Sequence, residues 1–289
     1  GTNFVKDIEP EYVAVSDDSK TAYVTLQENN GIAEIDIATA TIKKIMPLGF
    51  KDYSLASNAI DPSDQDSRID FFTQSKVFGI YMPDAISFFR YNGTPYLFTA
   101  NEGDAREYTG TPGLNEMQRV GSSTLDPTAF PTATTVKLTA NLGRLNITKT
   151  LGDTDADGDF DALYSLGARS FSVWNANTGA QVYDSKNELD IKAKELGVYD
   201  DGRSDDKSVE PESIAIGRVG NKYIAIVGLE RADAFAIYDI TNPTAPQFVK
   251  MIRTGDAPEG ILFIPASQSP ISQSLIVVSS ENDGVVKIY

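Results

Sequence analysis

The chain has 289 residues, of which 41 are acidic and 25 basic, and its formal net charge is −16. It contains no cysteine, which excludes disulfide and thiolate chemistry. It also contains no histidine, which removes the commonest neutral-pH acid–base group and zinc ligand. The negative charge excludes nucleic acid as a partner and concentrates cations at the surface. No stretch approaches the apolar length of a transmembrane segment, and the length suits one large all-β domain.

The first repeat unit is predicted over residues 11–46. It contains four short apolar runs separated by polar or small residues, the spacing of an antiparallel meander. These runs are Tyr12–Val15, Ala22–Leu26, Ile32–Ile37 and Ile42–Ile45. Four strands in roughly 40 residues are typical of one β-propeller blade. Residues 1–9 either add an outer strand to another blade or form a frayed terminus.

Three further units follow, and long insertions lie between some units and within the second one. The units are predicted at 84–183, 212–252 and 259–289, and the insertions at 47–82, 103–168 and 184–209. The last insertion contains a short helical stretch at Glu188–Leu196, and the last unit lacks its fourth strand. The predicted fold class is therefore all-β, a single β-propeller domain or fragment with about four blades of four antiparallel strands across residues 1–289.

Each unit begins with a proline followed by an acid and carries a second acid after its second strand. The first acids are Glu11, Asp84, Glu212 and Glu259, and the second acids are Glu28, Glu102, Glu230 and Glu281. Because antiparallel neighbours are joined at alternating ends, both positions lie at the same end of every blade. All eight carboxylates should therefore gather at one end, beside the long insertions, where function usually resides.

Two interpretations of these acids stay open. They either accept backbone N–H groups at turns, or they form a site whose mutual repulsion is offset by basic side chains or a bound divalent cation. The candidate basic residues are Arg106, Arg169, Arg203, Lys207 and Arg231. The predicted ligand-binding set is Glu11, Glu28, Asp84, Glu102, Asp104, Arg106, Glu212, Glu230, Arg231, Glu259 and Glu281.

A second candidate site lies in the insertion at 103–168. Its aspartates alternate along the chain at Asp153, Asp155, Asp157, Asp159 and Asp161. Alternating carboxylates place hard oxygen ligands on one side of a loop, and Gly158 permits a sharp turn. The start matches an EF-hand loop, but Tyr164 stands where the bidentate glutamate belongs. We predict a structural calcium loop of a non-EF type, the alternative being a solvated acidic loop without metal.

Several runs resemble the choice-of-anchor I family, β-propeller domains of secreted or surface-attached bacterial proteins that are sometimes labelled alkaline-phosphatase-like. The runs are Asp7–Asn30, Leu48–Ser54, Thr99–Arg106, Leu142–Asp161, Arg203–Glu212, Gly228–Pro243 and Pro258–Pro265. The resemblance implies a secreted, periplasmic or cell-surface location. It also implies a larger, roughly seven-bladed ring, of which this chain is expected to be the later part. It transfers no catalytic residues.

Three functions are compatible with these features. The first is an extracellular calcium-binding propeller that binds a surface component or a small anionic ligand through its acidic face. The second is a metal-dependent phosphoesterase, in which the carboxylates hold cations while Arg106 and Arg231 clamp phosphate oxygens. The third is a scaffold without a small-molecule site. The sequence has no nucleophile-elbow motif and no P-loop, so whether the protein is an enzyme stays open.

Overall fold

The computed structural model describes residues 7–108 and 114–289, which fold mainly as antiparallel β-sheet. The strands of the first part are β1 (Pro10–Val15), β2 (Thr21–Leu26), β3 (Gly31–Asp36), β4 (Thr41–Pro47), β5 (Phe50–Asp52), β6 (Val77–Ile80), β7 (Ile86–Tyr91), β8 (Thr94–Asn101), β9 (Glu107–Tyr108), β10 (Leu114–Asn115) and β11 (Met117–Arg119).

The second part continues in the same style. Its strands are β12 (Asn146–Thr148), β13 (Leu163–Ser165), β14 (Ser170–Asn175), β15 (Gln181–Asp184), β16 (Pro211–Val219), β17 (Lys222–Leu229), β18 (Ala234–Asp239), β19 (Gln247–Arg253), β20 (Pro258–Ile264), β21 (Leu275–Ser280) and β22 (Val285–Ile288). The described helices are α1 (Ala133–Val136), α2 (Glu188–Leu196) and short 3₁₀ turns at Ala56–Asn58, Val120–Ser122, Asp201–Arg203 and Glu230–Ala232.

Four sheets carry the repeat. Their strand orders are β1-β2-β3-β4, β7-β8-β14-β15, β16-β17-β18-β19 and β20-β21-β22, and we number these sheets one to four. Tight hairpins join their strands; in the β7–β8 turn, Asn92 and Gly93 both have positive φ, as a type I′ turn requires. The prediction of an all-β chain with mostly four-stranded antiparallel sheets is confirmed at this level.

Sheets one to four pack face to face in chain order. Tyr23 of sheet one packs with Ile86 and Leu97 of sheet two, and corresponding apolar clusters join sheet two to three and sheet three to four. The first strands β1, β7, β16 and β20 lie side by side. Hydroxyl groups tie neighbouring sheets together, since Thr25 of β2 donates to the Asp84 carbonyl at 2.6 Å and Ser87 of β7 donates to the Ile214 carbonyl at 2.8 Å.

The insertions build a layer of their own beside this stack. Strands from the first two insertions form one five-stranded sheet of order β11-β12-β13-β6-β5, with a parallel β13–β6 pair. It has a separate apolar core that includes Tyr53, Val77 and Leu145. The third insertion forms α2 where the sequence predicts a helical stretch. Leu189 of α2 is buried against the core of sheets two and three. Gly197 caps the end of the helix, and its φ of 70° suits that position.

Candidate functional site

A repeated backbone device sets the position of the acids. In sheets one, three and four the first strand has a register shift directly after its proline, at Pro10, Pro211 and Pro258. Such bulges turn a side chain out of the regular alternation. The first acid of each unit follows this proline immediately. The local sequence therefore directs one carboxylate per sheet toward the strand entrance.

The residue before the proline connects the two acids of a unit. Met82, Glu210 and Ala257 occupy this position in sheets two, three and four, and all have positive φ values between 45° and 54°. Such conformations are strained for residues other than glycine and persist where the surroundings enforce them. Here the carbonyl of Glu210 accepts the N–H of Glu230 at 2.9 Å, and that of Ala257 accepts the N–H of Glu281 at 2.8 Å.

All eight repeated acids lie at one end of the stack, because each stands at the entrance of a first strand or directly after a second strand. The neighbours run from Glu28 and Glu11 through Asp84, Glu212, Glu102 and Glu230 to Glu259 and Glu281. We call this set the carboxylate cluster. Burial is graded, since Glu102 and Glu230 are buried whereas Glu11, Glu259 and Glu281 are exposed. The geometry expected from the repeat is present; a ligand-binding role stays a prediction.

One half of the carboxylate cluster is balanced by basic side chains. Oxygens of Glu102, Glu210 and Glu230 lie within 4.8 Å of one another, and Glu210 is fully buried. The basic residues around them are Lys207, Arg203 and Arg231. These three basic groups offset much of the charge of the three carboxylates, although Arg203 also pairs with Asp206 at 3.0 Å and Lys207 also lies near Asp104.

Lys207 is the central basic group. Its ammonium pairs with Glu102 and lies 3.3 Å from Glu210. It also lies 3.9 Å from Asp104, whose side chain is exposed at the rim of the cluster. These carboxylates raise the pKa of Lys207 above its ordinary value although burial opposes the charge. Gln27, also buried, donates to the other Glu102 oxygen at 2.6 Å.

The other half has no such balance. Oxygens of Asp84, Glu102 and Glu212 lie within 4.8 Å of one another, and no basic side chain of the described residues pairs directly with Asp84 or Glu212. Burial, followed by the charge of Glu102 and the nearby Asp84 carboxyl, raises the pKa of Glu212; burial also raises the pKa of Asp84. This half holds excess negative charge that a proton or a cation must offset.

Two predicted basic partners lie elsewhere. Arg169 is fully buried behind the cluster, where its guanidinium donates to the carbonyls of Asp61, Ser204 and Asp206 at 2.8–3.0 Å. It therefore braces loops and does not face the carboxylates, which corrects the sequence-based expectation. Arg106 pairs with Glu116 at 3.3 Å and with Asp7 at 3.1 Å.

Arg106 and Arg231 consequently pair with different carboxylates and line different cavities. The paired phosphate clamp that the phosphoesterase hypothesis assigns to them is not assembled. Arg203 occupies the place beside Arg231, where both contact Glu210.

Glu210 is a cluster member that the sequence reasoning missed. It precedes Pro211 and is followed by Glu212, so the chain reads Glu-Pro-Glu there. The same tripeptide occurs at Glu9–Glu11, and Glu9 also lies beside Glu28, where burial and Glu9 together raise the pKa of Glu28 to about 8. The duplicated tripeptide was the signal available in the sequence.

The aspartate loop, residues 153–161, lies apart from the cluster. Oxygens of Asp153, Asp155 and Asp161 converge within 4.8 Å, and Asp159 instead joins Asp161 and Asp126, which the sequence reasoning did not include. Asp157 belongs to neither group and caps a turn by accepting the N–H of Asp159 at 3.2 Å. Gly158 has φ of 100°, as the sharp turn requires.

Three converging carboxylates supply the hard oxygen ligands that suit calcium. Repulsion from Asp157 is the largest cause of the raised pKa of Asp155, whereas hydrogen bonds from Thr154 lower the pKa of Asp161. The donor set therefore fits a calcium ion through Asp153, Asp155 and Asp161. The binding itself stays a prediction.

Comparison with known proteins places these features in a family. The profile of the choice-of-anchor I domain matches residues 1–243. The chain belongs to the choice-of-anchor I domain family. Gigasin-3a of Magallana gigas is 30% identical over 184 residues, a match that covers 52% of this chain and 64% of Gigasin-3a. The chain thus spans less than two thirds of that relative.

Solved structures resemble the choice-of-anchor I chain only weakly. A protein of unknown function from Desulfotomaculum acetoxidans has 11% identity and a TM-score of 0.38, over 97% of this chain and 55% of that one. The WD40 domain of Toxoplasma gondii coronin has 8% identity and a TM-score of 0.38, over 97% and 44%. A β-propeller domain from Myceliophteria thermophila has 8% identity and a TM-score of 0.36, over 97% and 69%. Scores this low carry no argument about function.

Proposed function

We propose that this domain is a calcium-binding β-propeller unit of a secreted or surface-associated protein, which binds a ligand or surface component through its acidic end. The observation that carries the proposal is the convergence of carboxylates at one end of the sheets: oxygens from sheets two and three lie within 4.8 Å of one another, and the charge of Asp84 also reaches Glu11 and Glu259 of sheets one and four. Acids that only cap turns do not need to share a common space. In the described residues, no helix combines the length and apolarity needed to cross a membrane.

Two sites support cation binding in different ways. The aspartate loop is a local site with a structural role, because it pins the second insertion through three carboxylates. The unbalanced half of the carboxylate cluster is the second site, through Asp84, Glu102 and Glu212. A divalent cation there would neutralise charge that otherwise requires protonation.

Calcium titration by isothermal calorimetry, after removal of metal with a chelator, tests both sites. Two classes of site are expected in the parent chain. Glu212→Gln should remove one class and Asp155→Asn the other, while each leaves the remaining class intact. Absence of binding heat at millimolar calcium would overturn the cation part of the proposal.

The ligand-binding proposal predicts no turnover. Phosphatase and phosphodiesterase assays with nitrophenyl esters, in calcium, distinguish it from the phosphoesterase alternative. Calcium-dependent turnover that is abolished by Glu212→Gln would establish the alternative and refute the proposal. Arg106 and Arg231 pair with different carboxylates and do not form a common phosphate clamp, which favours the outcome without turnover.

The outer faces of sheets one and four support a larger ring. On sheet one, the register aligns apolar side chains on the face turned away from sheet two: Val13, Val15, Val24, Ile35, Ile42 and Ile45. On sheet four, the face turned away from sheet three aligns Leu262, Ile264, Leu275, Val277, Val286 and Ile288. Several are more than half exposed, including Ile42 at 61% and Ile288 at 64%.

These faces have the composition of the interfaces between consecutive sheets, such as the packing of Ile226 and Phe235 against Val278. We therefore assign them to contacts with further sheets of a propeller. Ile42→Thr with Ile45→Thr should leave the stability of this chain within about 1 kcal/mol and reduce its binding of a hydrophobic dye. Destabilisation as large as that of Ile226→Thr would show that the face is already covered.

A further inference from the structure

A cleft lies beside Glu28 of the carboxylate cluster and the segment that leads into the aspartate loop. It has a volume of about 440 Å³, which lies in the range of roughly 300–1,000 Å³ that is usual for small-molecule sites. One end is formed by Glu28 of the carboxylate cluster. The other end is formed by Thr150 and Leu151, which lead into the aspartate loop. The cleft is thus placed where a ligand contacts the repeat sheets and the insertion layer together.

One wall of the cleft is apolar and ends in an exposed aromatic ring. Ile80 and Met82 are buried at its base, and Phe50 is 46% exposed at its edge. Phe50 begins a row of aromatic rings on the same face of the five-stranded sheet. The Phe50 and Tyr164 centroids are 4.7 Å apart, and the Tyr164 and Phe78 centroids 5.3 Å. Phe50 therefore presents an aromatic ring beside a concave surface, the kind of lining that is usual for a small-molecule site.

The cleft also has a polar lining. It carries the Glu28 carboxyl, one oxygen of which is buried without a hydrogen-bond partner among the described residues, and the exposed amide of Asn29. It also carries Arg106, whose side chain is 12% exposed and whose guanidinium pairs with Asp7 and Glu116. The unpaired Glu28 oxygen favours a ligand that supplies a hydrogen bond to it.

We propose that this cleft binds a neutral carbohydrate ring, which deepens, and rests on, the proposed ligand-binding function. A pyranose has an apolar face that stacks on an aromatic ring and a rim of hydroxyls that both donate and accept. Phe50 provides the stacking surface, while Glu28, Asn29 and Arg106 face the hydroxyl rim. The net charge of −16 and the neighbouring carboxylates exclude a polyanionic glycan.

The test is saturation-transfer-difference NMR with methyl glycosides of glucose, galactose, mannose and N-acetylglucosamine at millimolar concentration. At least one glycoside should show transfer to its ring protons. Phe50→Ala should reduce that transfer at least about fivefold. The matched control is Phe72→Ala, which removes a similarly exposed ring at 40% exposure in a different cavity and should leave the transfer unchanged.

Each other outcome overturns the proposal. The first is that no glycoside shows saturation transfer, and the second is that Phe50→Ala and Phe72→Ala reduce the transfer equally. The third is transfer only to a proline-rich hexapeptide, which is included as a second type of ligand that binds exposed aromatic rings. Calcium calorimetry on the same samples separates this result from the fate of the cation sites. A chain that binds calcium but no glycoside refutes the carbohydrate assignment alone.

Discussion

The carboxylate cluster and the aspartate loop are both acidic, but they are built in different ways. The cluster collects side chains from residues 11 to 281, buries several of them and places basic groups among them. The loop draws most of its converging carboxylates from residues 153–161 and is largely exposed. A site assembled from distant segments depends on the packing of the whole domain, whereas a local loop depends mainly on its own turns.

The carboxylate cluster and the aspartate loop also tolerate like charges in different ways. In the exposed loop, water screens the aspartates and turn hydrogen bonds order them. In the buried cluster, screening is weak, so the charges must be paired, protonated or bound to a cation. Substitutions in the two regions should consequently differ in size as well as in kind.

The largest difference is expected from glycine substitutions. Gly167 has φ of 73°, and a Cβ there would lie 2.1 Å from the carbonyl oxygen of Glu102. Gly167→Ala should therefore cost about 4 kcal/mol or more, measured by urea unfolding, or abolish cooperative unfolding. Gly158→Ala in the loop adds a Cβ into open space and should cost only about 1 kcal/mol of backbone strain. Equal losses of stability in Gly167→Ala and Gly158→Ala would contradict the difference between the buried cluster and the exposed loop.

The second-largest difference in stability is expected from the loss of a basic group. Lys207→Met leaves Glu102 and Glu210 without their shared partner and should destabilise the chain by about 3–5 kcal/mol near pH 8. The control is Lys222→Met, which breaks an exposed pair with Asp239 at 2.7 Å and should cost less than about 1 kcal/mol. A Lys207→Met effect no larger than the control would show that the cluster is not balanced as described.

The pH dependence follows from the raised pKa values. Burial raises the pKa of Glu102 and Glu230 to about 7 and that of Glu28 to about 8, above the ordinary glutamate value of about 4.3. At a pH between the ordinary and the raised pKa values, the folded chain then binds more protons than the unfolded chain. Without calcium, stability should fall as the pH rises from about 4.5 to 8.

Urea unfolding in a chelator at pH 5, 6.5 and 8 measures this fall. Added calcium should flatten the dependence, because a cation replaces the proton at Asp84, Glu102 and Glu212. Stability that rises across this range in the chelator would refute the electrostatic account of the cluster.

The smallest effect on folding is expected in the loop. Asp155→Asn removes a converging carboxylate and should weaken calcium binding at the loop by at least about tenfold, with little change in calcium-free stability. Asp157→Asn is the matched control in the same loop, since it removes an equal charge from a residue that lies outside both converging groups. Calorimetry that shows the same loss for both variants would mean that the converging set has been misassigned.

The sequence predicts what recurrence and local spacing encode. Repeated Pro–acid steps such as Pro211–Glu212 locate the strand entrances, and the period of the apolar runs predicts the sheets that position Glu102 and Glu230. The alternating aspartates likewise indicate a loop ligand set. The fold class therefore follows from the chain at the level of mostly four-stranded antiparallel sheets.

The sequence does not predict where long insertions direct their side chains. Arg169 and Lys207 are both basic residues near the repeated acids in the chain. Packing of the third insertion places Lys207 among the carboxylates and leaves Arg169 bonded to backbone carbonyls behind them. Asp126 joins the aspartate loop only through the fold of the second insertion. Such long-range placements have no local pattern.

Anomalous diffraction from crystals grown in calcium tests the central claim most directly, because it locates the cations relative to both regions. The account predicts one peak among Asp84, Glu102 and Glu212 and a second among Asp153, Asp155 and Asp161. A calcium-soaked structure with neither peak, or with the repeated acids divided between opposite ends of the sheets, would contradict it.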